Sequence, residues 1–183
     1  MPKTPAPAAH PERMFFFGSL RDLDLLEIVI GRTPHGLALA DGHLDHHAVH
    51  CVAGEPFPML VARDGARAHG LLVEGLGPHE VDRISFYEDV DYTLSPVAVH
   101  ADGARVEAHA YLALETLTDS GTPWDLARWQ AEEKAFMLLC AEEMMRFHGV
   151  LTHAEVDARW PAIKARAAAR LEAATRPHRQ ATR

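Results

Sequence analysis

Two short stretches hold residue types whose spacing could do chemistry. Residues 14–21, MFFFGSLR, are an apolar run that stops at Gly18, Ser19 and Leu20 and then meets DLDLLEIVIG. Read as a strand turning into a helix, this leaves the amides just after Gly18 as orphan donors at a positive helix end, where a carboxylate or carbonyl oxygen is favoured. The plainer reading is a tight turn between a core strand and a helix. The second stretch is FYEDVDY, residues 86–92, which puts Glu88 at the end of a helix rich in apolar residues and Tyr92 four positions on. A carboxylate beside a core is costly to bury unless it is paired or used. The alternative is an exposed helix-terminal glutamate in the company of Asp89 and Asp91.

The elements that must position these groups follow from periodicity. Residues 14–17 predict a short strand buried on both faces. Asp22 or Ser19 caps the next helix, Leu23, Leu25, Leu26, Val29 and Ile30 give its buried side, and Gly31 stops it. From 36 to 115 the pattern is mostly strand, with Asp-Gly turns at 64–65 and 102–103 between strand-like runs: FPMLVA–RDGAR–AHGLLVEGL and LSPVAVH–ADGA–RVEAHAYLAL. In the second hairpin Val97 and Val99 share parity with Val106, Ala108, Ala110 and Leu112. Between the hairpins, Pro78 opens a short helix carrying Val81, Ile84, Ser85 and Glu88 at helical spacing.

From Pro123 to His148 one long helical pattern carries Trp124, Trp129, Phe136, Met137, Cys140, Met144 and Phe147, and Gly149 ends it. A further helix starts at Thr152, and Pro161 should kink or split it. The expected organisation is a disordered leader (1–13), a barrel domain (14–115), a helical extension packed on the barrel (116–174) and a frayed tail (175–183). The fold class is α+β: a small, mainly antiparallel or mixed β-barrel with C-terminal helices.

Composition narrows the function. The 183 residues suit one domain, 48% hydrophobic content suits a globular core, and a net charge of −8 argues against a nucleic-acid surface. Cys51 and Cys140 lie far apart in apolar contexts, which predicts free thiols and a reducing, cytoplasmic setting. The N-terminus is too polar and proline-rich for a signal peptide, and the apolar run from Met14 is cut by Arg21, Asp22 and Asp24, far short of the ~20 residues a membrane span needs. The expectation is a soluble protein that meets neither membrane nor nucleic acid.

Together the motifs carry a resemblance. A strand ending Phe17-Gly18-Ser19-Leu20-Arg21, then Phe57-Pro58 before a strand, a G-x-L-x-x-G-L segment within His69–Leu76, and Tyr87-Glu88-x-x-x-Tyr92 stand in an order and spacing that resemble the gamma-glutamylcyclotransferase-like (AIG2-like) family. The resemblance covers about residues 14–115. The helical tail is similar to the form of this domain found joined to Nudix hydrolases in bacteria, although no Nudix sequence is present. The resemblance implies a barrel whose cavity binds a gamma-glutamyl group and cyclises it, releasing 5-oxoproline and the amine or amino acid once in amide linkage. Carried onto this sequence, Gly18, Ser19 and Leu20 hold a carboxylate or carbonyl oxygen, and Phe17, Arg21, Phe57, Pro58 and Tyr92 surround the substrate. Glu88 is the general acid/base. No metal or organic cofactor is implied. Phe15, Phe17, Phe57 and Phe86 are expected as pocket walls that raise the Glu88 pKa. Two positions depart from the pattern: Phe17 stands where many members have Tyr, and Asp89 where Gly often follows the glutamate. The added charge of Asp89 is expected to raise Glu88 further and to repel a substrate carboxylate.

Other signals carry less. His43, Asp45, His46, His47 and His50 crowd one segment, and on a strand His43, Asp45 and His47 would share a face; nothing elsewhere completes a metal site of familiar spacing, so a solvated strand is expected. Cys51 lacks the setting of a nucleophile. The Trp124–Phe147 stripe reads as core covering one opening of the barrel, its alternative being a homodimer face or a docking site for another enzyme. The rival to the enzyme is a binding or regulatory module of the same fold without turnover.

Overall fold

A computed structural model describes residues 11–176; most of the expected leader and tail lies outside these residues. The first strand, β1 (Arg13–Phe16), has Met14, Phe15 and Phe16 all buried, as a strand covered on both faces requires. Phe15 points into the barrel with Leu44, Leu72, Val99, Ala108 and Ala110, while Met14 and Phe16 face the helical layer. β1 pairs antiparallel with β3 (Pro58–Glu74) and parallel with β5 (Ala104–Ala113). Continuing through β4 (Tyr92–Ala101) and β2 (Ala38–Val52), the order β3-β1-β5-β4-β2 closes when β2 pairs with β3. The result is a five-stranded mixed barrel in which only β1–β5 is parallel. Its interior is filled. A Cβ at Gly70 would lie 2.4 Å from Phe15 Cζ and 2.5 Å from the Phe16 carbonyl oxygen, so Phe15 occupies the space a larger residue would need.

The β4–β5 hairpin turns at Asp102 and Gly103, with φ of 50° and 77°, and pairs Val99 with Val106 and Val97 with Ala108. Asp64-Gly65, by contrast, is no hairpin turn. β3 runs through it as one strand, because both flanking runs pair with the same partner: Met59–Ala62 with His47–His50, and Arg67–Glu74 with Ala38–Asp45. The extra residues form a bulge opposite His46, whose φ of 58° bends β2.

Helix α1 (Leu23–Ile30) is capped by Asp22, which accepts from the amides of Asp24 and Leu25, and ends at left-handed Gly31. Leu25, Leu26, Val29 and Ile30 are its buried stripe; Leu23, expected there, is exposed at the first residue of the helix. Asp22 is itself buried and accepts from Gln130 Nε2 at 2.7 Å and Lys134 Nζ at 2.8 Å, tying α1 to the later helices. Helix α2 (Pro78–Glu88) buries Val81 and Ile84.

The segment after residue 115 departs from the helical expectation at both ends. Residues Asp119–Pro123 form β6, an edge strand added to β2, so the sheet reaches past residue 115. The long helix then divides at Glu133 into α3 (Leu126–Glu132) and α4 (Lys134–Met145). α5 (His153–Thr175) continues as one helix through Pro161. Trp124, Trp129, Met137, Cys140 and Met144 are buried, so this stripe is core. Among the described residues no helix is long and apolar enough to cross a membrane.

Candidate active site

A cavity of about 560 Å³ opens at the end of the barrel where β1, β2 and β5 finish and β3 and β4 begin. Phe15, Phe16, Phe17, Gly18, Ser19, Leu20, Phe57, Pro58, Glu88 and Tyr92 all line it. Arg21 does not; it turns toward Asp41 and Asp125 on the far side of the turn. Phe86 also misses the expected wall, because it sits two residues from Glu88 on the opposite face of α2, packed with Cys140, Met144 and Ile163.

After β1 the chain makes a 3-10 turn, Ser19–Arg21, whose first internal bond runs from the Arg21 amide to the Gly18 carbonyl at 3.1 Å. The amides of Ser19 and Leu20 precede that bond and donate to no acceptor among the described residues, so they can meet a ligand. Gly18 is required by space, since a Cβ would sit 2.4 Å from Pro58 Cγ. Pro58 is in turn held by Tyr92, whose hydroxyl donates to its carbonyl oxygen at 3.1 Å.

Glu88, the last residue of α2, faces the same cavity. Its carboxylate meets no hydrogen-bond partner among the described residues, and burial pushes its pKa up to about 8. Asp89 is not a cause of that shift, contrary to expectation: its carboxylate turns aside to the Val90 amide at 2.6 Å and His153 Nδ1 at 3.0 Å. Its backbone, at φ 61° and ψ −170°, lies in a region ordinarily left to glycine.

The chain has three tyrosines, and all three ring this glutamate. Burial raises Tyr87, Tyr92 and Tyr111, in each case with Glu88 adding to the shift, and Tyr111 reaches about 12. Tyr87 lies in hydrogen-bonding reach of the Ser19 side chain, and Tyr111 of Ser85 Oγ at 2.5 Å. These are neutral hydroxyl groups around one carboxyl, each held by its own partner: Ser19 for Tyr87, the Pro58 carbonyl for Tyr92 and Ser85 for Tyr111. The sequence motif contains Tyr87 without assigning it to the site and does not reach Tyr111, which stands in the small-residue run of β5.

The outer wall comes from the C-terminal helices: Met137, Cys140, Ala141 and Met144 of α4, and Val156, Asp157, Trp160 and Lys164 of α5. Burial pushes the Cys140 thiol up to about 11, so it serves as a neutral wall. The histidine segment lies elsewhere. Asp45 accepts from Arg67 Nε at 3.2 Å and meets His43 at 3.4 Å and His100 at 3.3 Å, while the bulge takes His47 out of register and its ring meets the Asp45 carbonyl. His50 pairs with Asp119 of β6. Among the described residues no group of three His, Cys, Asp or Glu is arranged to hold a metal ion.

Comparison with known proteins agrees with this fold. The model of the family described as gamma-glutamyl cyclotransferase, AIG2-like, matches residues 14–131. An Arabidopsis thaliana protein with a solution structure shares 17% identity and a TM-score of 0.54, covering 80% of this chain and 89% of its own. A structure titled gamma-glutamyl cyclotransferase shares 12% identity and a TM-score of 0.51, covering 85% and 88%. A Homo sapiens protein of unassigned function gives 12% and 0.53, covering 86% and 88%. At such identities the likeness establishes the fold. No curated protein sequence matches.

Proposed function

The chain belongs to the gamma-glutamyl cyclotransferase, AIG2-like family, and on that premise we propose that it cyclises a gamma-glutamyl amide to 5-oxoproline with release of the amine. One observation carries this reading: Glu88, a half-buried carboxyl with no hydrogen-bond partner among the described residues, shares a cavity with the amides of Ser19 and Leu20. In the proposed reaction those amides hold an oxygen of the gamma-glutamyl group. Ionised Glu88 takes a proton from the substrate's alpha-amine. The freed nitrogen attacks the gamma-carbonyl carbon, the new C–N bond closes a five-membered lactam, and Glu88 returns the proton to the departing amine nitrogen as the old C–N bond breaks. Nucleophile and electrophile are tethered, so much of the task is holding the substrate folded for attack, which the aromatic walls Phe17, Phe57 and Tyr92 are placed to do. A carboxyl near pKa 8 is suited to moving a proton in both directions near neutral pH.

The test is 5-oxoproline release from a panel of gamma-glutamyl amines and dipeptides, comparing wild type with Glu88→Gln. Release by wild type alone is expected. A folded wild type inactive on every member favours the rival, a module that binds without turnover, for which the supporting observation is Phe17, a cavity wall without a hydroxyl. Equal release by both proteins removes Glu88 from the reaction.

A further inference from the structure

We infer that α5 is a hinged wall of the cavity, closed by a pH-sensitive latch in which His153 and Asp157 on its first turns both fasten onto Asp89 at the end of α2. The helix has two unequal halves. Its C-terminal half is anchored: Ile163 and Ala167 are fully buried, and Arg166 and Arg170 reach Glu143 of α4. In its N-terminal half, residues 153–160, Val156 alone is buried, yet Val156, Asp157 and Trp160 all line the cavity. Pro161 lies between the two halves. It has no amide proton, so the Asp157 carbonyl, four residues earlier, goes without its helical hydrogen bond and the helix is weakest where the halves meet. The capping box of Thr152 and Glu155 gives the first half its own helix start.

One side chain holds the first half down. Among the described residues, the hydrogen bonds and ion pairs of residues 153–160 to elements outside α5 and its cap all end on Asp89. His153 Nδ1 stands 3.0 Å from Asp89 Oδ1, and Asp157, when protonated, donates to the same carboxylate. The His153 ring also rests on Phe86, centroids 5.4 Å apart. Both partners titrate, and in the same sense. An imidazole attracts Asp89 only while it carries a proton. Burial first, then Asp89 and Asp91, hold Asp157 above the ordinary carboxylate range, with His153 working against them. With a raised folded pKa, the Asp157–Asp89 bond contributes below the ordinary carboxylate value and is lost as pH rises through the folded one. Past that point Asp157 confronts Asp89 and Asp91 as a third carboxylate, and loss of the His153 proton removes the remaining attraction. The other charged groups nearby are Glu88 and Lys164, which line the same cavity, and the His148–Asp82 pair at 2.8 Å, which fastens the segment after α4 to α2 without touching residues 153–160. The latch also accounts for an aspartate at a backbone position, φ 61°, that ordinarily goes to glycine.

The latch is read on the chain alone and stands or falls apart from the proposed reaction. The test is hydrogen exchange of the full chain at about pH 4.5 and about pH 8.5, expressed as protection factors so that the intrinsic pH dependence of exchange cancels. The amides of residues 156–160 are expected to lose about three- to tenfold protection at the higher pH, a modest factor for partly exposed partners, while residues 163–170 hold theirs. Asp157→Asn, at an exposed position, keeps a donor for Asp89 and cannot ionise, so it should retain more protection than wild type at the higher pH. His153→Gln combined with Asp157→Asn should abolish the difference between the two pH values. Glu88→Gln should keep the wild-type difference, which separates the latch from ionisation elsewhere in the cavity. Wild-type protection independent of pH, loss shared equally by both halves of α5, or a pH dependence that survives the double substitution or disappears in Glu88→Gln would each overturn the inference.

Discussion

The Cα of Gly18 lies so close to the Pro58 ring that a Cβ would come within 2.4 Å of Pro58 Cγ and 3.2 Å of its Cβ. The position demands a residue without a side chain, because the Pro58 ring fills the space a Cβ would take. The contact joins two motifs far apart in sequence, and the Tyr92 hydroxyl joins a third by donating to the Pro58 carbonyl. The turn amides, the β3 entry and the start of β4 therefore move as one unit.

Gly18→Ala should displace this unit without unfolding the barrel. An added methyl forced against a stiff ring costs about 1–3 kcal/mol. The loss in 5-oxoproline release should be larger than the loss in stability suggests, at least about tenfold in kcat/KM, because misplacement near a reacting group is felt strongly. Steady-state kinetics beside a urea melt separates the two, and unchanged kcat/KM would sink the proposed role of the turn.

The raised pKa of Glu88 gives two pH dependences. Activity needs the ionised carboxylate, so kcat/KM should climb as pH rises through about 8, and the same limb should vanish in Glu88→Gln. For stability the sign is opposite. The folded pKa lies above the unfolded value of 4.5, so the native state binds the extra proton, and stability present below 4.5 is lost as pH rises through about 8. The full span corresponds to roughly 3–5 kcal/mol before allowing for the solvent the cavity admits. Glu88→Gln should therefore melt above wild type at pH 9 and alongside it at pH 4.5, as thermal scans at the two pH values would check.

Much of this arrangement could be read from residue order, and the misses have local causes. β1, the Asp22 cap, the Gly31 stop and the Asp102-Gly103 hairpin were legible because each rests on neighbours in sequence. Asp64-Gly65 misled because a turn dipeptide within a bulge looks the same as one within a hairpin; only pairing of both runs with β2 tells them apart. β6 was invisible for a similar reason: DSGTP has no apolar alternation, and its pairing comes from β2. Glu88 and the Gly18–Leu20 turn were found through motifs. Asp157, Trp160 and Lys164 were not, since their approach to the cavity depends on how α5 docks.

That docking centres on Glu143, a buried α4 carboxylate that accepts from Arg166 Nε at 3.0 Å and Arg170 Nη1 at 2.9 Å of α5. Burial works against its ionised form, but the arginines prevail and hold its pKa below the usual glutamate range. Glu143→Ala removes this joint, but both arginines are more than a third exposed and Arg170 keeps Glu142, so the cost should be about 1–3 kcal/mol. The depressed pKa contributes stability that is fully present above the unfolded value and is lost as pH falls through the lower folded one, so wild type and variant should converge in acid. Hydrogen exchange should show the loss concentrated in α5, with the barrel amides still protected; uniform loss across both would mean that the extension and barrel unfold as one.

Asp89 sets a stability gain against a loss that can be weighed. At φ 61° and ψ −170° a non-glycine residue costs on the order of 1–3 kcal/mol. Its carboxylate returns part of that through the Val90 amide and His153, and a partly exposed pair of this kind contributes about 0–1 kcal/mol. Asp89→Gly removes the strain and those contacts together, so the balance should favour the variant by about 1 kcal/mol. Asp89→Ala keeps the strain and loses the contacts, and should fall below wild type by a similar amount. Chemical denaturation of the three proteins should thus rank glycine above aspartate above alanine. Should alanine match glycine, backbone strain would not be what distinguishes this position.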